Sequence, residues 1–252
     1  MIESMPQPQA IRRAVVLAAG MGVRLRPYTE LIPKPLLVVG GRPLILQTLS
    51  SLSEAGIAQA VVVVGYRGHE IEAVLSEVRG IDVQVVENTR FHLGASLSLA
   101  AARELCGEED FLLVMSDHLL SPGLLRRLAT AEPRDACRVA ADSTAWPSHY
   151  VDEATLLQIA DDGLVTRIGK HIGAASALDA GAFACTPEVW EALDSAPPDC
   201  DLSTVFTELV KRGRLFAADI SGSRWYDIDT PDDISLAEEK LASDPGGAVA
   251  AL

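Results

Sequence analysis

Residues 15–41 read VVLAAGMGVRLRPYTELIPKPLLVVGG, and no other stretch of the chain is as informative about its architecture. A short apolar strand, predicted over Ala14–Ala18, leads into a glycine-rich turn and then into a loop. Because Gly20 and Gly22 have no Cβ, the turn can adopt positive φ values and bring backbone N–H groups close to phosphate oxygens. The pattern therefore predicts a phosphate-binding loop at the end of the first strand.

Two cationic side chains follow the glycine turn. Arg24 can bind a phosphate through two parallel N–H groups. Lys34 stands between Pro33 and Pro35, which fix the φ angle of residue 33 and favour an extended backbone at residue 34. We therefore expect both cations to be directed at phosphate oxygens, although most arginines and lysines are solvated surface groups.

The same stretch resembles the signature of the sugar-phosphate nucleotidyltransferase superfamily, which is LAAG-x-G-x-R-L followed after a spacer by PKPL. The first half stands here at residues 17–25 and the second at residues 33–36. The resemblance implies that the chain holds a nucleoside triphosphate and promotes attack on its α-phosphate. A Rossmann dinucleotide fingerprint is excluded because Leu25 stands where the third glycine is needed, and the chain has no G-x-x-x-x-G-K-S/T motif.

Apolar segments of strand and helix type alternate through the first half of the chain. Such alternation predicts a largely parallel sheet with helices on both faces, and ligands then bind at the carboxyl ends of the strands. The predicted strands are Ala14–Ala18, Ala60–Val64, Val83–Val86 and Phe111–Met115, and the predicted helices are Pro43–Ala55, His69–Val78, Ser96–Leu105 and Pro122–Thr130. We predict an α/β fold that is Rossmann-like and three-layered, with a mostly parallel mixed central sheet.

The second half of the chain is less regular. Asp162-Gly163 predicts a hairpin turn, and Thr230-Pro231 predicts the start of a final helix. The other predicted elements are strands at Cys137–Ala141, Thr155–Ile159, Val165–Ile168, Ala182–Cys185, Arg214–Ala218 and Trp225–Ile228, and helices at Pro187–Leu193 and Leu202–Arg212. We expect one domain over residues 13–242, with a nucleotide half (about 13–130) and an acceptor half (about 131–242), between disordered tails at 1–12 and 243–252.

Charge and composition exclude some partners. The 252 residues carry a formal net charge of −14, and such a surface repels nucleic acid. No apolar stretch reaches ~18 residues, so we expect no membrane insertion. The chain begins without the basic start and apolar run of a signal peptide, and its four cysteines form no C-x-x-C pair, so we expect a cytoplasmic protein. The sequence leaves the oligomeric state open, and a homo-oligomer is compatible with it.

The superfamily resemblance also implies a divalent cation, and Mg²⁺ is the prediction, held by a few carboxylates together with phosphate oxygens. Asp117 follows the predicted strand Phe111–Met115, where the superfamily has its first metal aspartate. The second carboxylate is expected from residues 225–231, WYDIDTP, which fit the superfamily's W-x-D pattern. Asp227 matches the metal position. Asp229 shares its face of the strand and either binds the metal as well or shapes the turn before the final helix.

The resemblance assigns further residues to each substrate. Catalytic roles fall to Arg24, Lys34 and Asp117. The residues expected to bind the nucleotide are Leu17, Ala18, Ala19, Gly20, Gly22, Arg24, Lys34, Gly65, Asn88 and Ser96. The residues expected to bind the second substrate are His118, Lys170, Asp179 and Gly181.

The four acceptor residues have different expected roles. Lys170 is expected to contact a phosphate, with a solvated lysine on a hairpin edge as the alternative. Asp179 accepts hydrogen bonds and so suits the hydroxyls of a polyol. Gly181 is expected to let the substrate approach the backbone, and His118 to touch the substrate.

Within the superfamily the chain looks most like the inositol-1-phosphate cytidylyltransferases. The runs that carry this likeness are GASLSL (94–99), MSDH (115–118), RIGK (167–170), LDAGAFACTPEVWEAL (178–193) and WYDIDTPDD (225–233). The likeness implies transfer of a nucleoside monophosphate, with CTP as the favoured donor, to a phosphorylated small alcohol such as inositol-1-phosphate, with release of pyrophosphate.

Two alternatives stay open at this point. One is a hexose-1-phosphate or phosphocholine nucleotidyltransferase, although choline would need an aromatic cage. The other, of a different class, is a non-catalytic nucleotide-sugar sensor. The presence of Arg24, Lys34, Asp117 and Asp227 together argues against the sensor.

Overall fold

The computed structural model describes residues 11–144 and 154–243. The strands are β1 (Arg13–Ala18), β2 (Val38–Val39), β3 (Arg42–Pro43), β4 (Gln59–Val64), β5 (Asp82–Glu87), β6 (Phe111–Met115), β7 (His118–Leu120), β8 (Cys137–Asp142), β9 (Leu156–Ile159), β10 (Val165–Gly169), β11 (Ala177–Cys185), β12 (Leu215–Asp219) and β13 (Trp225–Asp227). The helices are α1 (Tyr28–Leu31), α2 (Leu44–Glu54), α3 (Gly68–Leu75), α4 (Ala95–Cys106), α5 (Pro122–Thr130), α6 (Glu188–Ser195), α7 (Leu202–Lys211) and α8 (Pro231–Ser243). One-turn 3₁₀ helices lie at Val23–Leu25, Lys34–Leu36 and Phe91–Leu93.

Nine of the strands form one mixed sheet. Strand β1 pairs in parallel with β4 and β6, and β4 pairs in parallel with β5. The sheet continues through β11, which runs antiparallel to β6, β8 and β9, while β12 runs parallel to β8 and β10 antiparallel to β9. The predicted α/β fold is confirmed, and both halves of the chain contribute to the same sheet.

Two apolar clusters cover the two faces of the sheet and make the three layers. Alternate residues of β1 point to opposite faces, so that Val16 and Ala18 join the cluster formed with α2, α3 and α5. Val15 and Leu17 join the cluster formed with α4, α6 and α7. Burial on both faces explains why β1, β4 and β6 are almost continuously apolar, whereas the edge strand β5 carries polar residues.

A third cluster positions the candidate site. Its core joins Leu25 of the glycine loop to Leu119 of β7, Ile228 next to β13 and Ala237 of α8. Strands β7 and β13 form a separate antiparallel ribbon, with Asp227 opposite His118. The glycine loop and this ribbon are therefore packed together beside the carboxyl ends of the parallel strands.

Most predicted elements are confirmed to within a few residues. The Asp162-Gly163 hairpin joins β9 to β10, with Gly163 at φ +85°. The strand predicted over Trp225–Ile228 pairs with β7 instead of extending the main sheet, and β11 begins at Ala177, well before the predicted start. A three-residue strand such as β13 carries little periodic signal of its own, and in β11 the apolar run is interrupted by Asp179 and Gly181.

The predicted tails lie mostly outside the described residues. Of the residues assigned to them, Ile11 is buried in the first cluster and Ser243 ends α8. Within the described part of the chain, no helix is long and apolar enough to cross a membrane.

Candidate active site

The glycine loop and Asp117 lie next to each other at the carboxyl ends of adjacent strands. The backbone N–H of Ser116 donates to the carbonyl of Leu17 at 3.1 Å, and that of Tyr66 donates to the carbonyl of Ala19 at 3.0 Å. Parallel neighbours β6, β1 and β4 therefore end level with one another. This edge is where ligands bind in open α/β sheets.

Of the two glycines in the turn, only one has a backbone conformation that favours glycine over other residues. Gly22 has φ +60° and ψ 43°, which is left-handed backbone. A Cβ at position 22 would lie 2.9 Å from Cβ of Lys34 and 3.1 Å from Cγ2 of Thr29. Gly20 does not have a positive φ and has open space around its Cβ position, so the positive φ that the turn was expected to allow is found at Gly22 and not at Gly20. Gly22 thus lets the loop pack directly on Lys34.

This difference gives a matched pair of substitutions. We expect Gly22→Ala to lower the free energy of unfolding by about 1–2 kcal/mol, because an alanine in left-handed backbone is strained. Gly20→Ala should leave stability near that of wild type. Urea unfolding of both variants measures the two free energies of unfolding. Equal values would contradict the claim that the left-handed backbone at position 22 requires glycine.

Lys34 is buried within a group of carboxylates. Its Nζ donates to Oδ2 of Asp117 at 2.6 Å and to Oδ1 of Asp229 at 2.7 Å, and its side chain is only 9% exposed. It is the first residue of a 3₁₀ turn, closed by the bond from Leu37 N to Lys34 O at 3.0 Å. The expected extended backbone at Lys34 is therefore wrong, because this turn outweighs the conformational preference of a residue before proline.

Asp229 is neutralised by two cations. Besides Lys34 at Oδ1, Arg24 binds its Oδ2 with Nη2. The turn before α8 is shaped instead by Asp233, whose Oδ2 accepts from the backbone N–H groups of Asp229 and Thr230 at 3.0 and 2.7 Å. Thr230 Oγ1 in turn accepts from the Asp233 N–H at 3.4 Å, which completes a capping box.

Asp117, His118 and Asp227 form a second group beside Lys34. One ligand atom from each of these side chains lies within 4.8 Å of the others, which is a geometry that could hold a metal ion. His118 Nδ1 lies 2.9 Å from Oδ1 of Asp117 and 3.8 Å from Oδ1 of Asp227. The structure thus places the predicted substrate residue His118 between the two predicted metal carboxylates.

The charges and the burial of these side chains shift their pKa values. Burial alone would lower the pKa of Lys34, but the carboxylates of Asp117 and Asp229 outweigh it and raise that pKa. Burial would raise the pKa of Asp117, but Lys34 and His118 hold it well below its usual range. For His118, burial is outweighed by Asp227 and Asp117, which raise its pKa to about 9. Burial raises the pKa of Asp227 to about 6.

The protonation states that follow from these pKa values indicate the role of His118 at the site. A protonated imidazole donates through Nδ1 to Asp117 and offers no lone pair at that atom to a metal. Asp117 and Lys34 are both charged at neutral pH, and both belong to one buried ion-pair network. His118 therefore acts as a hydrogen-bond donor that orients the Asp117 carboxylate.

The donor set fits a hard divalent cation such as Mg²⁺, which prefers carboxylate oxygens. Oδ1 of Asp227 is buried and has no hydrogen-bond partner among the described residues, whereas both oxygens of Asp229 face cations. A buried carboxylate oxygen without a donor is the kind of atom that a bound cation satisfies. Asp117 and Asp227 are accordingly the residues best placed to hold the ion.

Several residues predicted to bind nucleotide are engaged within the protein. Asn88 donates from Nδ2 to Ser98 Oγ at 3.0 Å, and Ser96 Oγ accepts from the N–H of Cys200 at 3.1 Å. A Cβ at Gly65 would lie 2.8 Å from Cβ of Phe91 and 2.9 Å from Cβ of Ala19. These contacts are structural, and a nucleotide role for the three residues stays a prediction.

The predicted acceptor residues surround the same edge from β10 and β11. Leu156 of β9 pairs with Gly169 of β10 on one side and with Leu178 of β11 on the other. Lys170 and Asp179 are the next residues after Gly169 and Leu178, so they lie at the same level of the sheet. That register separates their Cα atoms by about 10 Å, or two strand spacings. Lys170 is exposed. Burial raises the pKa of Asp179 to about 7, so near neutrality the carboxyl is partly protonated and can donate as well as accept a hydrogen bond.

Gly181 has a structural reason for its residue type. Its φ is +70°, and a Cβ there would lie 2.5 Å from Cδ2 of the His118 ring. The space expected for a substrate next to this backbone is filled by His118. The backbone N–H of Gly181 donates to Oδ1 of Asp179 at 2.8 Å.

Two further residues lie near the site: Trp225, which the sequence offered only as part of the W-x-D pattern and as a candidate wall of a choline cage, and Asp142, which was not singled out. Trp225 lies parallel to the His118 ring, and Asp142 accepts a hydrogen bond from its indole. No sequence signal distinguishes Asp142 from other aspartates at strand ends.

Comparisons with known proteins agree with this geometry. Residues 14–180 match the family of MobA-like NTP transferase domains. A protein of Rubrobacter xylanophilus named bifunctional IPC transferase and DIPP synthase is 37% identical over 232 residues, and one of the same name from Aquifex aeolicus is 31% identical over 236 residues. The matches cover 90% and 92% of this chain but 51% and 52% of those proteins, so the chain spans about half of their length.

Solved structures also resemble the chain. The inositol-1-phosphate CTP transferase from T. maritima superposes with a TM-score of 0.84 at 28% identity, covering 96% of this chain and 99% of that one. A UDP-glucose pyrophosphorylase from Acinetobacter superposes with a TM-score of 0.80 at 20% identity, covering 95% of each chain. The second likeness is one of fold.

Proposed function

Because the chain belongs to the MobA-like NTP transferase family, we propose that it transfers CMP from CTP to inositol-1-phosphate and releases pyrophosphate. The observation that carries this proposal is the likeness, over nearly the full length of both chains, to a structure named as an inositol-1-phosphate CTP transferase. The group formed by the buried Lys34 and the partly buried carboxylates of Asp117 and Asp227 at the carboxyl edge of the sheet supports the transfer chemistry.

In the proposed reaction, an oxygen of the acceptor phosphate attacks the α-phosphorus of CTP. A new P–O bond forms, the bond between the α-phosphorus and the bridging oxygen breaks, and pyrophosphate leaves with that electron pair. The acceptor phosphate is already an anion, so the reaction needs no general base. Catalysis is then a matter of positioning the two phosphates and stabilising the negative charge that develops.

The cations of the site have separate tasks in this scheme. The side chain of Arg24 is 49% exposed. In this scheme Arg24 would break its ion pair with Asp229 and, together with the amides of the glycine turn, would bind the outer phosphates. Lys34 is held at the edge of β6 and would stabilise charge on the α-phosphate. Asp117 and Asp227 would hold Mg²⁺, which when bound supplies positive charge to the phosphate oxygens.

The acceptor is proposed to lie at the edge of the sheet next to the end of β10 and the start of β11, which flank β9. Lys170, exposed at the end of β10, would hold the acceptor phosphate, and Asp179 would bind hydroxyls of the ring. Because Asp179 both donates and accepts near neutrality, it suits a polyol, whose hydroxyls also do both.

Kinetics of acceptor variants test this placement. We expect Lys170→Ala to raise the KM for inositol-1-phosphate and leave the KM for CTP unchanged. Asp179→Ala should reduce the preference for inositol-1-phosphate over glucose-1-phosphate, because a site that bonds a hydroxyl discriminates more strongly than an apolar one. Lys211→Ala is the control, since Lys211 is an exposed lysine paired with Glu208 on α7. An acceptor KM that changes equally in Lys170→Ala and Lys211→Ala would remove Lys170 from the site.

Pyrophosphate release tests the function itself. The enzyme is incubated with each of CTP, UTP, ATP and GTP, and with inositol-1-phosphate, glucose-1-phosphate or phosphocholine. The proposal predicts the highest kcat/KM for CTP with inositol-1-phosphate. Preference for another acceptor would change the assigned acceptor and leave the reaction class unchanged. Binding of nucleotide without pyrophosphate release from any pair would favour a sensor.

A further inference from the structure

The imidazole of His118 is held on three sides. Its Nδ1 lies 2.9 Å from Asp117 Oδ1, and its Nε2–Cδ2 edge lies against Gly181, where no Cβ fits. On a face of the ring lies the indole of Trp225, with an interplanar angle of 2° and a centroid distance of 6.3 Å. In the register of the ribbon, Trp225 is the diagonal neighbour of His118, two residues before Asp227.

The indole is itself fixed by a charged partner. Trp225 Nε1 donates to Oδ2 of Asp142 at 2.8 Å, and both residues are buried, at 5% and 2% exposure. The other oxygen of Asp142 accepts from the Thr144 N–H at 2.9 Å. Because Asp142 ends β8 in the main sheet, the contact ties the separate β7–β13 ribbon to the sheet at the place where the ribbon carries His118 and Asp227.

We propose that Asp142 and Trp225 are positioning residues that fix His118, and through it the Asp117 carboxylate, in the geometry needed to bind the metal ion. The inference rests on the proposed function for its kinetic consequence only. The polar atoms of the two residues bond to each other, so we expect their effect on the reaction to pass through the side chains they hold. His118 contacts the Asp117 carboxylate directly, and loss of such a partner of a metal ligand changes metal affinity and activity by about 10- to 100-fold, which sets the upper range for Trp225 and Asp142 because they act through His118.

The competing possibility is that Trp225 and Asp142 only stabilise the fold. Trp190 offers a matched control for that role. Its ring is also buried, its Nε1 donates to the carbonyl of Gly107 at 3.1 Å, and it stacks on Phe111 at a centroid distance of 5.2 Å. Its partners Phe111 and Gly107 lie at the opposite end of β6 from Asp117.

The test is binding of Mn²⁺ by electron paramagnetic resonance, without substrates, because Mn²⁺ accepts the same oxygen ligands as Mg²⁺. The variants are Trp225→Phe, which keeps a ring but loses the anchor, Trp225→Leu, Asp142→Ala and the conservative Asp142→Asn. Trp190→Phe and Trp190→Leu are the controls. Melting temperatures are measured for all variants, and binding is measured well below each transition.

We expect Trp225→Leu and Asp142→Ala to weaken Mn²⁺ binding by about 10-fold, the lower end of the effect of losing a direct partner of a metal ligand, with smaller losses in Trp225→Phe and Asp142→Asn. The ¹⁵N shifts of the His118 imidazole should change in the same order. The Trp190 variants should lose stability but keep Mn²⁺ affinity. With the identified substrate pair, kcat should fall more than the KM for the acceptor rises.

Unchanged Mn²⁺ affinity and unchanged His118 shifts in folded Trp225→Phe and Asp142→Asn would overturn the proposal and leave a purely structural role. If the Trp225→Leu or Asp142→Ala variant fails to fold, those two conservative variants still decide the question. The binding and spectroscopic readouts need no substrate. An error in the proposed acceptor or nucleotide would therefore appear in the kinetics and leave these measurements intact.

Discussion

Replacing Asp117 with asparagine is expected to lower turnover by about 10²-fold or more, which is the scale of losing one charge-stabilising group in an active site. Asp117 contacts Lys34 at 2.6 Å and His118 at 2.9 Å and is one of the two carboxylates best placed to hold the metal. Asparagine keeps the size of the side chain and removes its charge, so the fold should persist while metal binding and Lys34 placement are lost. Steady-state rates of pyrophosphate release at saturating substrates and Mg²⁺ measure the effect.

Asp194→Asn is the control for this substitution. Asp194 forms an ion pair with Arg103 at 2.7 Å on the surface, away from the carboxyl edge of the sheet. It should retain wild-type turnover. Wild-type turnover in Asp117→Asn as well would show that the buried carboxylate group is not the reaction site.

Lys34→Met is expected to reduce kcat by about 10²- to 10³-fold, with a smaller change in the KM for CTP. Charge builds on the α-phosphate as pyrophosphate departs, so a cation at that position contributes more to the transition state than to the ground state. Methionine fills much of the volume of the lysine, which avoids a cavity. The carboxylates of Asp117 and Asp229 lose their shared cation, so a lower melting temperature is expected too.

The kinetic effect is separated from the loss of stability by measuring well below the melting temperature and by adding Lys34→Arg. Arginine restores the charge but not the compact ammonium geometry, so it should recover stability more than turnover. Lys211→Met serves as a surface control. An increase in the KM for CTP with unchanged kcat would assign Lys34 to ground-state binding alone.

The parts of the site that were predictable are those fixed by local sequence. The strand before the glycine turn and the strand before Asp117 are continuous apolar runs, and parallel neighbours in such a sheet end at one edge. That rule brings the glycine turn and Asp117 to one edge, and the structure places Nζ of Lys34, from the loop that follows the turn, 2.6 Å from Oδ2 of Asp117.

The unpredicted parts depend on contacts between distant segments. Lys34 and Arg24 meet Asp229 from the other end of the chain, because the third apolar cluster packs the glycine loop against the ribbon. The residue type at Gly181 is set by the His118 ring, and that of Gly22 by Lys34. The local sequence around each glycine does not reveal which distant side chain packs against it. From the sequence, both glycines therefore indicated only a flexible or closely approached backbone.

The fate of the α-phosphate of CTP is the most direct measure of nucleotidyl transfer at this site. CTP labelled with ³²P at the α-position is incubated with inositol-1-phosphate and Mg²⁺, and the products are separated and identified by mass spectrometry. We predict that the label appears in a product containing cytidine, two phosphates and inositol, that pyrophosphate is released unlabelled in equal amount, and that Asp117→Asn forms neither at a comparable rate. Release of labelled CMP independent of any phosphorylated acceptor, or transfer undiminished in Asp117→Asn, would contradict nucleotidyl transfer by this group of residues.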